Sequence, residues 1–297
     1  VGNVLDILLS VSLLFIMFNI GLELTLADFR RVVEVPRGIA VGLGNLIIIS
    51  PLLAAVVATV FGLDPVLAVG LVLLGSAPGG TMANMYTSLA KGETALSVSL
   101  TAVSSVLCVI TVPLYLGLAD QHFGDGNLIE DVNMVWIGLR VLAITLIPLS
   151  IGMFVHARRK DWTDRNKERM NRATLVVFGL VVVAAVASEF DVILENFTKV
   201  ALACLTLNVL AMGFSFFSAR ALRLTERAAT AISLELGIHN AAVAITVGSL
   251  LGNDRFIIPA GVYSLFMFTN GALFARYMYK RNVKADDAAA AAEAAVT

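Results

Sequence analysis

Apolar residues run along this chain in long stretches, separated by short polar breaks from one end to the other. Runs of about 20 apolar residues are long enough to cross a ~30 Å hydrocarbon core as helices. Nine can be marked: about Val4–Leu22, Gly38–Leu63, Pro65–Ala90, Thr94–Ala119, Met134–His156, Ala173–Ser188, Lys199–Ala219, Arg227–Leu251 and Phe256–Tyr279. The pattern predicts an all-α polytopic membrane protein of nine transmembrane helices, with 1–284 forming one transmembrane domain. The alanine-rich end, 285–297, has no apolar face to bury and is expected to be a disordered or frayed tail on the cytoplasmic side.

Two of the stretches carry a fault near their middle. The third contains Gly75-Ser76-Ala77-Pro78-Gly79-Gly80-Thr81. Proline removes a backbone donor and clashes with the preceding turn, and the glycines weaken the helix further. Two half-helices are predicted there, near Pro65–Ala77 and Thr81–Ala90. The eighth stretch has its weak point at Gly237. Counted from the C-terminus, stretches five to nine form a five-helix unit with the broken helix fourth. Stretches one to four fit the same unit without its first helix. An odd-numbered unit repeated in sequence inserts with opposite orientation, which is the inverted-repeat pattern of secondary transporters with crossed discontinuous helices.

The second fault lies in Ser233-Leu234-Glu235-Leu236-Gly237-Ile238-His239-Asn240-Ala241. Glu235 is eight residues beyond Arg227, or ~12 Å of helix, which is close to the midplane. An ionisable group at that depth costs ~2.5–3.5 kcal/mol on insertion scales and needs a partner. A base from another helix is one such partner, but no Lys or Arg stands at matching depth. A captured cation is the other: a carboxylate beside unwound carbonyls is an oxygen-rich site for a small hard ion. The half-helix carbonyl ends at Ala77 and Leu236–Ile238 would face a cation. The N-termini at Thr81 and Asn240 would face an anion.

Composition agrees with the membrane reading. Hydrophobic residues make up 58% of the 297 and charged residues 14%, far below a soluble domain. Mean hydropathy is +0.87. The net charge of −1 is uninformative, but its distribution is not. Most of the 21 Lys and Arg fall in alternate breaks: Arg30, Arg31 and Arg37; Lys91; Arg158 to Arg172; Arg220, Arg223 and Arg227; Arg276 to Lys284. The positive-inside rule then places the N-terminus outside and the C-terminus in the cytoplasm, in a plasma (inner) membrane. The opposite break at Asp120–Asn133 is acidic, read as solvated surface or as a cation funnel. Cys108 and Cys204 fall in apolar stretches and read as small core residues without a disulfide. No cleavable signal segment is expected before the first stretch.

Three motifs together resemble the bile acid:sodium symporter family over nearly the whole chain. They are Gly75-Ser76-Ala77-Pro78-Gly79-Gly80-Thr81-Met82-Ala83-Asn84, Ala95-Leu96-Ser97-Val98-Ser99-Leu100-Thr101, and Glu235-Leu236-Gly237-Ile238-His239-Asn240. The resemblance implies two sodium sites behind the helix crossing. The first would use Asn84, Ser97, Thr101 and Glu235, with Ala83 where the family commonly has a serine. Ser97 and Thr101, four residues apart, share a helix face and both offer hydroxyl oxygens. The second would use Glu235, the carbonyls of Leu236 and Ile238, and His239, where the family commonly has glutamine. A family glutamine in the second span is matched loosely to Asn45. His239 keeps three readings: a satisfied core histidine, an altered cation site, or a group whose protonation replaces one sodium.

For an organic substrate, Thr81, Asn240 and Asn270 are the candidate cavity residues. For Asn270, and for Asn19, an interhelical hydrogen bond is the competing role. Phe15, Met17, Phe18, Phe266, Met267 and Phe268 read either as pocket lining or as core and lipid-facing residues. The function expected is sodium-driven symport of an organic anion, a bile acid or a small carboxylate such as pantoate, by alternating access. A panel formed by stretches one, five and six would rock against a core formed by the rest. The protein is expected as a monomer in a lipid bilayer, with no nucleic-acid partner. The alternatives are a proton-coupled carrier, another inverted-repeat carrier such as a sodium/proton antiporter or arsenite exporter, and a non-transporting sensor. No H-E-x-x-H or G-x-S-x-G motif is present, and no enzyme is expected.

Overall fold

The computed structural model describes residues 2–129, 134–188 and 190–294, and among these it contains helices and no strand. In chain order the helices are α1 (Gly2–Glu23), α2 (Leu26–Glu34), α3 (Pro36–Gly44), α4 (Ser50–Val60), α5 (Pro65–Ser76), α6 (Thr81–Leu89) and α7 (Thr94–Phe123). They continue with α8 (Met134–Arg158), α9 (Lys160–Ser188), α10 (Phe190–Ala221), α11 (Glu226–Gly237), α12 (Ala241–Ser249) and α13 (Ile258–Ala294). Among the described residues, five segments are long and apolar enough to cross a membrane: Pro36–Val60, Thr94–Phe123, Val135–Arg158, Thr198–Ala221 and Asp254–Lys284. The chain is a multi-pass, all-helical membrane protein.

Both predicted faults are real breaks. α5 and α6 are separated at Ala77–Gly80, and α11 and α12 at Ile238–Asn240. The two pairs have the same lengths, 12 residues before the break and 9 after it. The breaks lie against one another as an antiparallel bridge between Gly79 and His239. Gly80 N–H donates to the Ile238 carbonyl at 2.9 Å, and Asn240 N–H to the Pro78 carbonyl at 2.8 Å. Backbone groups freed by unwinding thus satisfy each other, as irregular chain away from water must.

α3 and α4 run into one another through a π turn at Asn45–Ile49. Ser50 N–H reaches back to the Asn45 carbonyl, and Pro51, next in line, has no N–H to donate. α1 packs on α8 by direct backbone approach. A Cβ on Gly21 would meet the Leu149 carbonyl oxygen at 2.1 Å, and one on Gly152 the Phe18 carbonyl oxygen at 2.2 Å. Small residues let two membrane helices come this close.

Three stretches differ from expectation. The basic segment after α8 is helical: α9 begins at Lys160, its Lys, Arg, Glu and Asn residues being adequate helix formers, with Glu168 and Arg172 paired one turn apart. Asp120 lies inside α7 and is buried, its Oδ1 accepting from Leu128 N–H at 3.0 Å, so it caps a turn and belongs to no acidic funnel. Glu130 and Asp131 of the same break lie outside the described residues. The tail expected to be disordered from residue 285 continues α13 as far as Ala294, since alanine is the strongest helix former; 295–297 lie outside the described residues.

Candidate functional site

The first group of sequence candidates comes together. Glu235 sits in the last turns of α11 and is fully buried (0% exposed). Its Oε1 accepts from Ser97 Oγ at 2.7 Å and from Thr101 Oγ1 at 2.8 Å, both on one face of α7. The same two hydroxyls lie 2.8 and 3.2 Å from Oδ1 of Asn84 on α6. Thr87, one turn further along α6, has its hydroxyl 3.3 Å from that of Ser97. Each hydroxyl has one proton, so Ser97 and Thr101 cannot serve both acceptors at once. Ala83 is buried on α6 and adds no side-chain oxygen.

Glu235 Oε2 decides what this cluster can hold. It is buried and has no hydrogen-bond partner. Among the described residues no Lys or Arg pairs with Glu235. A buried carboxylate oxygen left unpaired is costly, and acceptors outnumber protons in this cluster. Five side-chain oxygens from Glu235, Asn84, Ser97 and Thr101 therefore suit a small hard cation, which accepts lone pairs and needs no donor.

The second group is arranged differently. His239 is buried (1% exposed) between Ala77 and Ser50. Nδ1 is 3.2 Å from the Ala77 carbonyl oxygen and Nε2 is 3.0 Å from Ser50 Oγ. A carbonyl only accepts, so Nδ1 carries a proton. Asn45 is elsewhere: its Nδ2 donates to the Val41 carbonyl at 2.8 Å, and its Oδ1 lies 3.3 Å from Ser218 Oγ. Ser50 therefore occupies the place for which Asn45 was a candidate, because the π turn alters which residues face the crossing. The Ile238 carbonyl accepts from Gly80, and Leu236 is buried in the last turn of α11.

In front of the crossing lies a cavity of about 480 Å³. Gly80, Thr81 and Asn84 form one part of its floor, and Ile238 to Ala241 the other. Both half-helix N-termini, of α6 and α12, therefore face it. Asn240 caps α12, its Oδ1 accepting from Val243 N–H at 3.3 Å. Its Nδ2 is buried without a partner, although the residue lines the cavity (6% exposed). Ile16 and Asn19 of α1 and Met267 and Phe268 of α13 supply walls. Met17 is core.

Asn270 does not line the cavity. Its Nδ2 donates to Asn208 Oδ1 at 2.8 Å, and Asn208 in turn donates to the Gly237 carbonyl at 2.7 Å. The interhelical role is the one it fills. Asn19 fills that role as well, donating to Asn171 Oδ1 at 2.8 Å, yet it also borders the cavity. Sequence reasoning missed the α9 side of the rim, where Lys167, Asn171 and Arg172 reach the cavity. Asn171 donates to Glu23 at 2.8 Å, and Lys167 pairs with the same carboxylate at 3.5 Å.

Residues 10–196, more than half of the chain, match the profile of the family described as Sodium Bile acid symporter family. The chain belongs to that family. Within the sodium bile acid symporter family it is similar to the sodium-dependent transporter YocS of Bacillus subtilis. The two are 25% identical over 276 residues, covering 92% of this chain and 83% of YocS. It is 28% identical over 280 residues to the ileal sodium/bile acid cotransporter of Oryctolagus cuniculus, covering 91% of this chain and 78% of that one. Against the probable sodium/metabolite cotransporter BASS1 of Arabidopsis thaliana, identity is 28% over 267 residues, 89% of this chain and 65% of the other.

Proposed function

We propose that the protein is a sodium-coupled symporter of an organic anion, working by alternating access. The observation that carries this reading is the unpaired Oε2 of Glu235, buried among hydroxyl and carboxamide oxygens where the two broken helices meet. The names of its relatives point the same way. Sodium would sit behind the crossing, held by Glu235, Asn84, Ser97 and Thr101. The organic anion would sit in front of it, against the N-termini of α6 and α12 and the free amide of Asn240.

Coupling follows from charge. An unneutralised Glu235 would have to move past hydrocarbon, whereas a cation bound to it removes that charge. A sodium ion entering down the membrane potential gains ~2.3 kcal/mol per 100 mV, which a monovalent anion travelling with it offsets, so a one-to-one symport draws on the sodium concentration gradient. The crossing joins the two half-sites mechanically, because Gly80–Ile238 and Asn240–Pro78 tie the breaks together. Ion binding to α7 and α11 thereby bears on the cavity floor.

The equal lengths of α5–α6 and α11–α12 support an inverted repeat within nine spans. The backbone approach of α1 to α8 and the Asn19–Asn171 bond to α9 support a panel of α1, α8 and α9 rocking against the remaining helices. With the basic breaks in the cytoplasm, the cavity rimmed by Lys167 and Arg172 opens inward.

The test is a thermal-shift screen of carboxylates on the purified full chain with sodium or potassium as the only cation, followed by uptake into proteoliposomes. A carboxylate that stabilises only in sodium, and is taken up only down a sodium gradient, is the expected result. Counterflow without sodium, or no uptake of any stabilising ligand, would sink the reading.

A further inference from the structure

The crossing has room in its bonding for one cation. The resemblance in sequence implies a second, between Glu235 and His239, but His239 and the Ile238 carbonyl, two of the groups that would serve it, already have partners. The neutral imidazole has one N–H and one lone pair. Its Nδ1–H lies against the Ala77 carbonyl, the carbonyl end of α5 expected to face a cation. Its Nε2 lies 3.0 Å from the Ser50 hydroxyl, so both ring nitrogens are engaged. At the carbonyl end of α11 the Gly237 oxygen accepts from Asn208 Nδ2 at 2.7 Å and from Tyr263 Oη at 3.1 Å. The Ile238 carbonyl accepts from Gly80. Glu235, whose Oε1 joins the two hydroxyls of α7, keeps its Oε2 unpaired beside Gly79.

We infer that this protein binds a single sodium ion, at Glu235, Asn84, Ser97 and Thr101, and that His239 with Ser50 fills the second position as a permanent, uncharged plug. The inference rests on the sodium-coupled reading above and sets its stoichiometry. One Na⁺ against one carboxylate leaves the core neutral on its own. The charge of an anionic substrate then faces Lys167 and Arg172 at the cavity rim.

The number of ions is read directly by ²²Na⁺ binding to the purified full chain in potassium buffer, with no organic substrate needed. One ion per chain and a Hill coefficient near 1 are expected. His239→Gln, which replaces the ring with a side chain offering an amide oxygen, is expected to raise the count to two and the coefficient towards 2. Two ions on the unaltered chain, or a folded His239→Gln variant that still binds one, overturns the plug while leaving sodium coupling intact. The count on the unaltered chain decides the matter even if that variant does not fold. No saturable ²²Na⁺ binding at all overturns the single site together with the symport reading beneath it. Loss of the single ion in Glu235→Gln then locates it.

Discussion

A Cβ placed on Gly79 would lie 1.8 Å from Oε2 of Glu235. The glycine of one broken helix is thus the wall against which the acid of the other is seated. To make room for a methyl group the carboxylate has to shift, and its other oxygen is the one bonded to Ser97 and Thr101. Gly79→Ala is therefore expected to abolish sodium-dependent uptake even if the chain still reaches the membrane folded. Uptake within twofold of the unaltered chain, measured in proteoliposomes, would show that the acid need not sit at this spot.

Charge at Glu235 is separable from its shape. Glu235→Gln keeps an oxygen to accept from Ser97 and Thr101 but removes the negative charge that a cation would neutralise. Sodium-dependent uptake and the stabilisation of the protein by sodium chloride over potassium chloride are both expected to vanish, with melting otherwise cooperative. In the unaltered protein, a pH gradient in sodium-free buffer is expected to drive no uptake. Uptake under those conditions would assign coupling to a proton instead.

The two hydroxyls on α7 allow a graded version of the same test. Ser97→Ala and Thr101→Ala each delete one oxygen from the cluster, and each is expected to raise the half-saturating sodium concentration by about tenfold, ~1.4 kcal/mol. Thr101→Ser retains the oxygen and should stay near the original value. Because both hydroxyls contact the same Glu235 oxygen, the double alanine variant should depart from the sum of the singles. Sodium affinities unmoved by either alanine would remove α7 from the ion site.

A structural counterpart lies behind the break in α11. Asn208 on α10 donates to the Gly237 carbonyl and to Tyr263 Oη, and accepts from Asn270. Asn208→Ala removes three hydrogen bonds at once, leaving the Asn270 amide without its partner and the Gly237 carbonyl with Tyr263 Oη alone. At about 1–3 kcal/mol for a buried group left without a partner, it should be among the most destabilising single changes outside the ion cluster. Tyr263→Phe leaves the Gly237 carbonyl its bond to Asn208 and should cost about 1 kcal/mol. Thermal melts in detergent compare the two, and equal melting temperatures would mean that Asn208 does not hold the unwound turn.

How much of this could be seen in the sequence follows from how local each signal is. The breaks were legible because Pro78-Gly79-Gly80 and Gly237 are local helix faults in otherwise apolar runs. Glu235 was legible because a mid-membrane acid needs oxygen-bearing or charged company; its grouping with Ser97 and Thr101 came from the resemblance to the family, with which their i,i+4 spacing on one face agrees. Ser50 was not. It reaches His239 only because a π turn at Asn45–Ile49 alters the facing of α4, and Asn45 was the candidate instead. Lys167 and Arg172 fall in what reads as a basic break, since a charged stretch gives no sign of being the continuation of a helix that borders a cavity. Asn270 was ambiguous in sequence because an asparagine in a membrane helix serves a neighbour or a ligand equally well. Its bond to Asn208 comes from a contact 62 positions away.

The substrate side of the proposal turns on Asn240, whose two ends do different work. Its Oδ1 caps α12 through Val243 N–H, while its Nδ2 stays unpaired in the cavity floor. Asn240→Ala removes both, so a stability loss of about 1 kcal/mol from the missing cap would accompany any loss of transport. Asn240→Asp separates them: aspartate caps a helix as well as asparagine does, but it presents a second acceptor and a negative charge where the amide donated. The expected outcome is a chain of near-normal melting temperature and near-normal ²²Na⁺ binding whose carboxylate uptake is lost, because a like charge now faces the anion. If the aspartate variant instead transports carboxylates with an unchanged KM, the anion does not sit against the N-terminus of α12. The cavity floor would then have to be assigned to α6 and the rim residues of α9 alone.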